Sequence, residues 1–227
     1  MTGKEGVISM SESKYEMDVI IVANTTNKFL RGLTESAIRT CREADDVKYN
    51  FVVVEQNKDS IPYSCKTLYY DFPFNYNRCL NLGIRETQSS IVAMCNNDLT
   101  FYKNWGHSII DDIDRCESLS PAVHSFSGIK IGYEVGKQVL GWCIVTTREV
   151  LKKIGGLNES CDFWFSDNVY AEQLKFHKVV HGLSGNSVVR HLTSCTLRMV
   201  DSRKQWIYQR GQYKRFEDFK KNLWMSA

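Results

Sequence analysis

Apolar residues come along this chain in short unbroken runs that end in polar side chains. Asp18–Asn24 (DVIIVAN) is the first. Tyr49–Val54 is the second, followed by Glu55, Gln56 and Asn57. Ile91–Cys95 is the third, closed by Asn96, Asn97 and Asp98. A run without alternation predicts a strand buried on both faces. Between the first two runs, Phe29, Leu30, Leu33, Ala37 and Ile38 recur at helical spacing and predict a helix to about Glu43. Leu68–Phe72 predicts a short strand, and Tyr76–Glu86 and Trp105–Glu117 predict helices. The order β-α-β-β-α-β-α predicts an α/β fold with a mostly parallel central sheet covered by helices on both faces. Ligands of such sheets bind beyond the carboxyl ends of the strands. Asn24, Glu55 and Asp98 are therefore expected along one edge, lining one pocket.

The second half has a different pattern. Val139–Thr146 predicts a strand, and Thr146 to Glu149 has the form of a capping box. The helix it opens, Arg148–Ile154, stops at Gly155–Gly156. An aromatic, acidic stretch, Cys161–Asp167 (CDFWFSD), precedes a helix to about Lys178. Ser187–Arg190 predicts a short strand ending at His191, and Val200–Trp224 a polar helical tail with interspersed aromatics. Residues 1–16 are polar and without period, and read as a flexible extension. The organisation expected is an extension (1–16), one α/β domain (17–199) and a basic, aromatic tail (200–227).

Composition narrows the class. A chain of 227 residues, 43% hydrophobic, buries a full core without disulfides. Its 8 cysteines are scattered with no CxxC pair, which suits free thiols in a reducing cytoplasm rather than a zinc site. No apolar run reaches membrane-spanning length, so integral membrane association is not expected. The formal net charge is only +3, but nine Lys and Arg against three Asp and Glu fall between Arg190 and Ala227. Such a terminus suits a phosphate-rich partner, a solvated helix face or a homo-oligomer contact. Asp111, Asp112 and Asp114 read as a solvated helix face, and His177 and His181 do not read as a zinc pair. The absence of GxGxxG and Walker-type loops leaves dehydrogenase and nucleotide-hydrolase readings without support.

Several segments, in order, resemble a family 2-like glycosyltransferase of the GT-A fold (Rossmann-like). Val19–Asn27 (VIIVANTTN) is similar to the family's opening strand and turn, and Phe51–Gln56 (FVVVEQ) to its second strand. Phe74–Ile84 (FNYNRCLNLGI) is similar to its Asn-rich helix start. Asn96–Asp98 falls at the DxD position, Gly155–Glu159 (GGLNE) at Gly-Gly-Phe-Asp-Glu, Ser166–Asp167 at Glu-Asp, and His191 at a late histidine. The likeness spans roughly residues 17–195.

The resemblance implies transfer of a sugar from a nucleotide-sugar donor, a UDP-sugar, to an acceptor hydroxyl, with Mn²⁺ or Mg²⁺ as cofactor. Asp98 and His191 are the implied metal ligands and Asp167 the implied base of an inverting displacement. Asn24, Thr25, Glu55, Arg78 and Asn97 are the implied donor-binding residues, and Trp142 a ring for a sugar to stack on. Four of these have plainer alternatives: an exposed cation for Arg78, a first-turn acid for Asp167, a structural hydrogen-bonder for His191 and a core ring for Trp142. The implied acceptor is a saccharide or, as in a phage-type DNA-modifying member, a hydroxymethylated base in DNA. Three positions depart from the family: the DxD site keeps one carboxylate, Ser166 replaces Glu, and Asn158 replaces Asp. A catalytically inactive nucleotide- or glycan-binding module is the alternative those losses leave open.

Overall fold

The computed structural model describes residues 16–192 and 202–226. The expected extension lies outside them apart from Glu16, as does the expected boundary between residues 199 and 200. The first strand, β1 (Glu16–Ala23), is central. Its alternate residues Met17, Val19 and Ile21 face one core, and Ile20 and Val22 face the other. Burial on both sides is why residues 19–23 are apolar at every position, while the buried Asp18 is paired with Arg148 at 2.7 Å. Helices α1 (Lys28–Ala44) and α3 (Trp105–Ile113) close the first core. Helices α2 (Tyr76–Arg85), α4 (Arg148–Lys153) and α5 (Ser166–Phe176) close the second.

The remaining strands are β2 (Lys48–Glu55), β3 (Lys66–Tyr69), β4 (Ile91–Asn96), β5 (Leu99–Phe101), β6 (Ser118–Ala122), β7 (Ile129–Ile131), β8 (Cys143–Thr147) and β9 (His181–His191). Among the described residues they form one sheet in the order β3-β2-β1-β4-β8-β6-β9-β5, with β7 also on β9. The half built from β3, β2, β1 and β4 is parallel. From there on the sheet is mixed: β8 runs antiparallel to β4 and β6, and β9 is parallel to β6 but antiparallel to β5 and β7. The expected mostly parallel sheet is corrected accordingly. An apolar run such as that of β8 carries no mark of its direction.

Local chemistry fixes the helix ends. Asn27 and Asn75 cap α1 and α2 by accepting from the Leu30 and Arg78 amides. Thr147, not Thr146, caps α4 through the Val150 amide. Thr146 instead donates to the Glu117 carbonyl across the sheet, which moves the expected cap by one residue. Gly155 and Gly156 end α4 at φ of 75° and 82°, where a side chain would be strained. The asparagines of α2 have a tertiary task. Asn75, Asn77 and Asn81 donate to the carbonyls of Glu159, Asn158 and Leu157, fastening the turn that follows the glycines. Of the three clustered aspartates, Asp112 is buried and accepts from Ser184. His181 is buried at the start of β9.

The C-terminal helix α6 (Ser202–Met225) folds back onto the domain. Phe216 and Phe219 pack with Cys161, Phe165 and Val169. Trp224 donates to Glu172 of α5 at 2.9 Å. Among the described residues no helix is long and apolar enough to cross a membrane.

Candidate active site

The carboxyl ends of β1, β2 and β4 open on one side of the sheet, and β8, being antiparallel to β4, begins there. A cavity of about 640 Å³ lies over this edge. Asn24 follows β1, Gln56 follows β2, Asn96 ends β4, and Asn97 and Asp98 follow it. Gly141 and Trp142 precede β8, His191 ends β9, and Asp167 lies in the first turn of α5; all of them line the cavity. Tyr208 of α6 reaches its mouth.

Strand register brings Asp98 and His191 together. Leu99 of β5 pairs with His191 of β9, and the Leu192 amide donates to the Asp98 carbonyl at 3.0 Å. The two side chains then meet, His191 Nε2 lying 3.0 Å from Asp98 Oδ1. Asp98 is buried and His191 half-buried, its ring stacked on Trp142 at 5.5 Å. Tyr76 donates its hydroxyl to Asn96 Oδ1 at 2.8 Å, which turns the Asn96 amide nitrogen toward His191 Nε2 at 3.4 Å. Nε2 thus has an acceptor on one side and a donor on the other, and one proton cannot satisfy both.

The pair suits a divalent cation. Two ligands at right angles on bonds of about 2.1 Å stand about 3 Å apart, the edge of an octahedral site. The observed 3.0 Å is compatible with that edge and is equally the length of an N–H···O hydrogen bond. A carboxylate oxygen with an imidazole nitrogen is a donor set Mn²⁺ accepts. Among the described residues no group of three or more His, Cys, Asp or Glu could hold a metal, so other ligands would come from water and substrate phosphate.

Asp167 stands apart from that pair, and burial raises its carboxyl above the usual range, partly offset by the Asn168 amide on Oδ1. Gly141 makes the space: a Cβ there would lie 2.6 Å from Asp167 Oδ2 and 2.7 Å from Asp167 Cβ. The residue before α5's first turn, Phe165, has φ of 66°, a left-handed conformation unusual for an aromatic residue.

The structure gathers Asn24, Asn97, Asp98, Asp167, His191 and Trp142 around one cavity, but not Thr25, Glu55 or Arg78. Glu55 is fully buried and accepts from the Thr25 amide, the Asn57 amide and the Tyr63 hydroxyl. It shapes the loops behind the cavity, and Gln56 takes the place expected for it. Thr25 is buried with it, its hydroxyl against that of Tyr63. Arg78 points to the surface and pairs with Glu159 at 2.7 Å. Asn97 lines the cavity while its amide nitrogen reaches Thr34 at 3.3 Å. Tyr76, Trp164 and Tyr208 also line the cavity without having been assigned to it from the sequence; their signals there are the Asn-rich helix start, the aromatic stretch 161–167 and the aromatics of the tail.

This architecture is shared with solved proteins. It superposes on residues 1–349 of S. aureus TarS with a TM-score of 0.60 at 10% identity, covering 77% of this chain and 59% of that one. It superposes on GalNAc-T7 bound to UDP, GalNAc and Mn²⁺ with a TM-score of 0.62 at 10% identity, covering 78% and 43%. Both are GT-A-type glycosyltransferases, and the fold of this chain is the GT-A fold. The chain spans about half the length of these structures. No protein-family model matches it, and no curated protein does.

Proposed function

We propose that this protein is a glycosyltransferase that moves a sugar from a UDP-sugar to an acceptor hydroxyl with inversion. The observation that carries the reading is the charge of the cavity. It holds Asp98 and Asp167, and among the described residues lining it there is no lysine or arginine. A nucleoside diphosphate brings further negative charge to the same place, which a divalent cation offsets. Asp98 and His191 would hold Mn²⁺ or Mg²⁺, which when bound would supply Lewis-acid stabilisation of the leaving diphosphate. Asn24 and Gln56, at the ends of β1 and β2, contact the nucleoside. Asp167 takes the proton of the acceptor hydroxyl as its oxygen bonds to the anomeric carbon. The bond from that carbon to the phosphate oxygen breaks, and UDP leaves with the electron pair. A carboxylate raised in pKa by burial is a better base for this than an exposed one.

A saccharide acceptor has rings to stack on at Phe163, Trp164 and Tyr208. Hydroxymethylated DNA is the second reading. It draws on α6, which places exposed Arg210, Lys214, Lys220 and Lys221 on the helix that reaches the mouth. Binding to DNA that weakens steeply with salt would favour it, and no binding at low salt would remove it. An inactive module would bind UDP yet hydrolyse no UDP-sugar.

Calorimetric titration with UDP, with and without Mn²⁺, tests the central claim. Binding is expected only with metal in the wild type and to be lost in Asp98→Ala. Equal affinity with and without Mn²⁺, or undiminished binding by Asp98→Ala, would overturn the assigned metal site.

A further inference from the structure

Gln212 is the most buried polar side chain described on α6, 1% exposed. A buried amide is tolerated only where its hydrogen bonds are met, and Gln212 meets them on Asp162, with the Phe163 amide also reaching its Oε1 at 3.5 Å. Its Oε1 accepts from the Asp162 amide at 2.6 Å, and its Nε2 donates to Asp162 Oδ2 at 2.8 Å. Tyr208 and Arg215, from the same helix, donate to that oxygen at 3.1 and 2.7 Å. On its other side, the Asp162 carbonyl accepts from the Tyr76 amide at 2.6 Å. Asp162 thus links α6 to the start of α2, where Tyr76 orients Asn96.

The segment that follows is held by α6 as well. Phe165, in its left-handed conformation, stacks on Phe216 at 5.8 Å and meets Tyr213 edge-on at 5.5 Å. No side chain caps α5. A non-glycine residue keeps such a backbone conformation only where its surroundings fix it. Asp167 lies two residues further on. We infer that Gln212 and Asp162 form a clamp through which α6 positions Asp167 over the cavity. Gln212 touches no reacting atom; it is a positioning residue. The inference rests on the role proposed for Asp167, but the clamp itself can be observed without turnover.

Gln212→Ala is the first variant. UDP binding with Mn²⁺ is expected to stay within twofold of wild type, because Gln212 bonds to Cys161, Asp162 and Phe163 and to none of Asn24, Gln56, Asp98 or His191. Hydrolysis of the UDP-sugar by water is expected to lose about 100-fold in kcat at unchanged KM, the effect of misplacing a catalytic group by about 1 Å. Hydrogen exchange should quicken over residues 161–167 and not in β1 or β4. A kcat within threefold of wild type overturns the clamp. If the wild type binds no UDP and hydrolyses no UDP-sugar, the proposed function falls, and the carboxyl ¹³C titration of Asp167 decides on the clamp. A midpoint lowered toward the ordinary value in Gln212→Ala supports it; an unmoved midpoint overturns it.

Discussion

Gly141→Ala tests the placement of Asp167 most directly. The added Cβ would lie 2.6 Å from Oδ2, 2.7 Å from Cβ and 3.0 Å from Cγ of Asp167. Carbon atoms rest about 3.5–4.0 Å apart, so about 1 Å of separation must be found. Rotating the carboxylate away does not supply it, because the Cβ–Cβ contact is fixed by two backbones. Either the start of α5 or the approach to β8 must move. A displacement of about 1 Å at a catalytic group costs about 100-fold in rate, or about 2.7 kcal/mol in the barrier. Overpacking costs about 1–3 kcal/mol in stability. The assay is kcat and KM for the UDP-sugar beside a thermal melt. The control is Gly32→Ala on the exposed side of α1, where a Cβ meets nothing within 4 Å. It should gain about 0.5–1 kcal/mol in stability and leave kcat unchanged. A folded Gly141→Ala protein with kcat within twofold of wild type would refute the placement.

Two further outcomes concern pH. Asp167 must be ionised to accept a proton, so kcat should fall on the acid side with a midpoint above the ordinary aspartate value of 3.8, as burial dictates; a midpoint at or below 3.8 would contradict its role as base. His181 is fully buried, its Nδ1 2.9 Å from the Ser118 hydroxyl and its Nε2 3.0 Å from the Gln138 carbonyl, and burial lowers its pKa from 6.5 to about 4. The native state keeps it neutral while the unfolded chain takes up a proton below 6.5. Its contribution is therefore intact above pH 6.5 and lost progressively toward pH 4, about 3 kcal/mol in all at 1.36 kcal/mol per unit. Urea denaturation of wild type and His181→Gln between pH 7 and 4 should show the variant's dependence flattened by about that amount, and parallel curves would refute the assignment.

Strands β1, β2 and β4 were legible because burial on both faces leaves unbroken apolar runs, and their polar ends marked the rim where Asn24 and Asp98 stand. The order of motifs supplied Asp167 and His191. Strands β5, β6 and β7 were not legible. Leu99–Phe101 and Ile129–Ile131 have three residues each, and Ser118–Ala122 carries Ser and Pro in place of an apolar run. Glu55 misled because a polar residue at a strand end can turn toward the ligand or back under the loop. Here three donors hold it back. Tyr208 and Gln212 belong to tertiary docking, and nothing in a mostly polar helix marks which of its side chains is buried.

The pairing of β4 with β8 also bears on how the chain is made. During synthesis Ile91–Asn96 can join β1 at once, since β1 is already complete. Its other edge waits for Cys143–Thr147. About 50 residues separate the two, so at about 5–20 residues per second that edge stands open for roughly 3–10 s. It is an uncharged strand of Ile, Val, Ala, Met and Cys, the kind of open edge on which nascent chains stick to one another. The yield of folded protein should therefore respond to translation speed between codons 97 and 147 more than anywhere upstream.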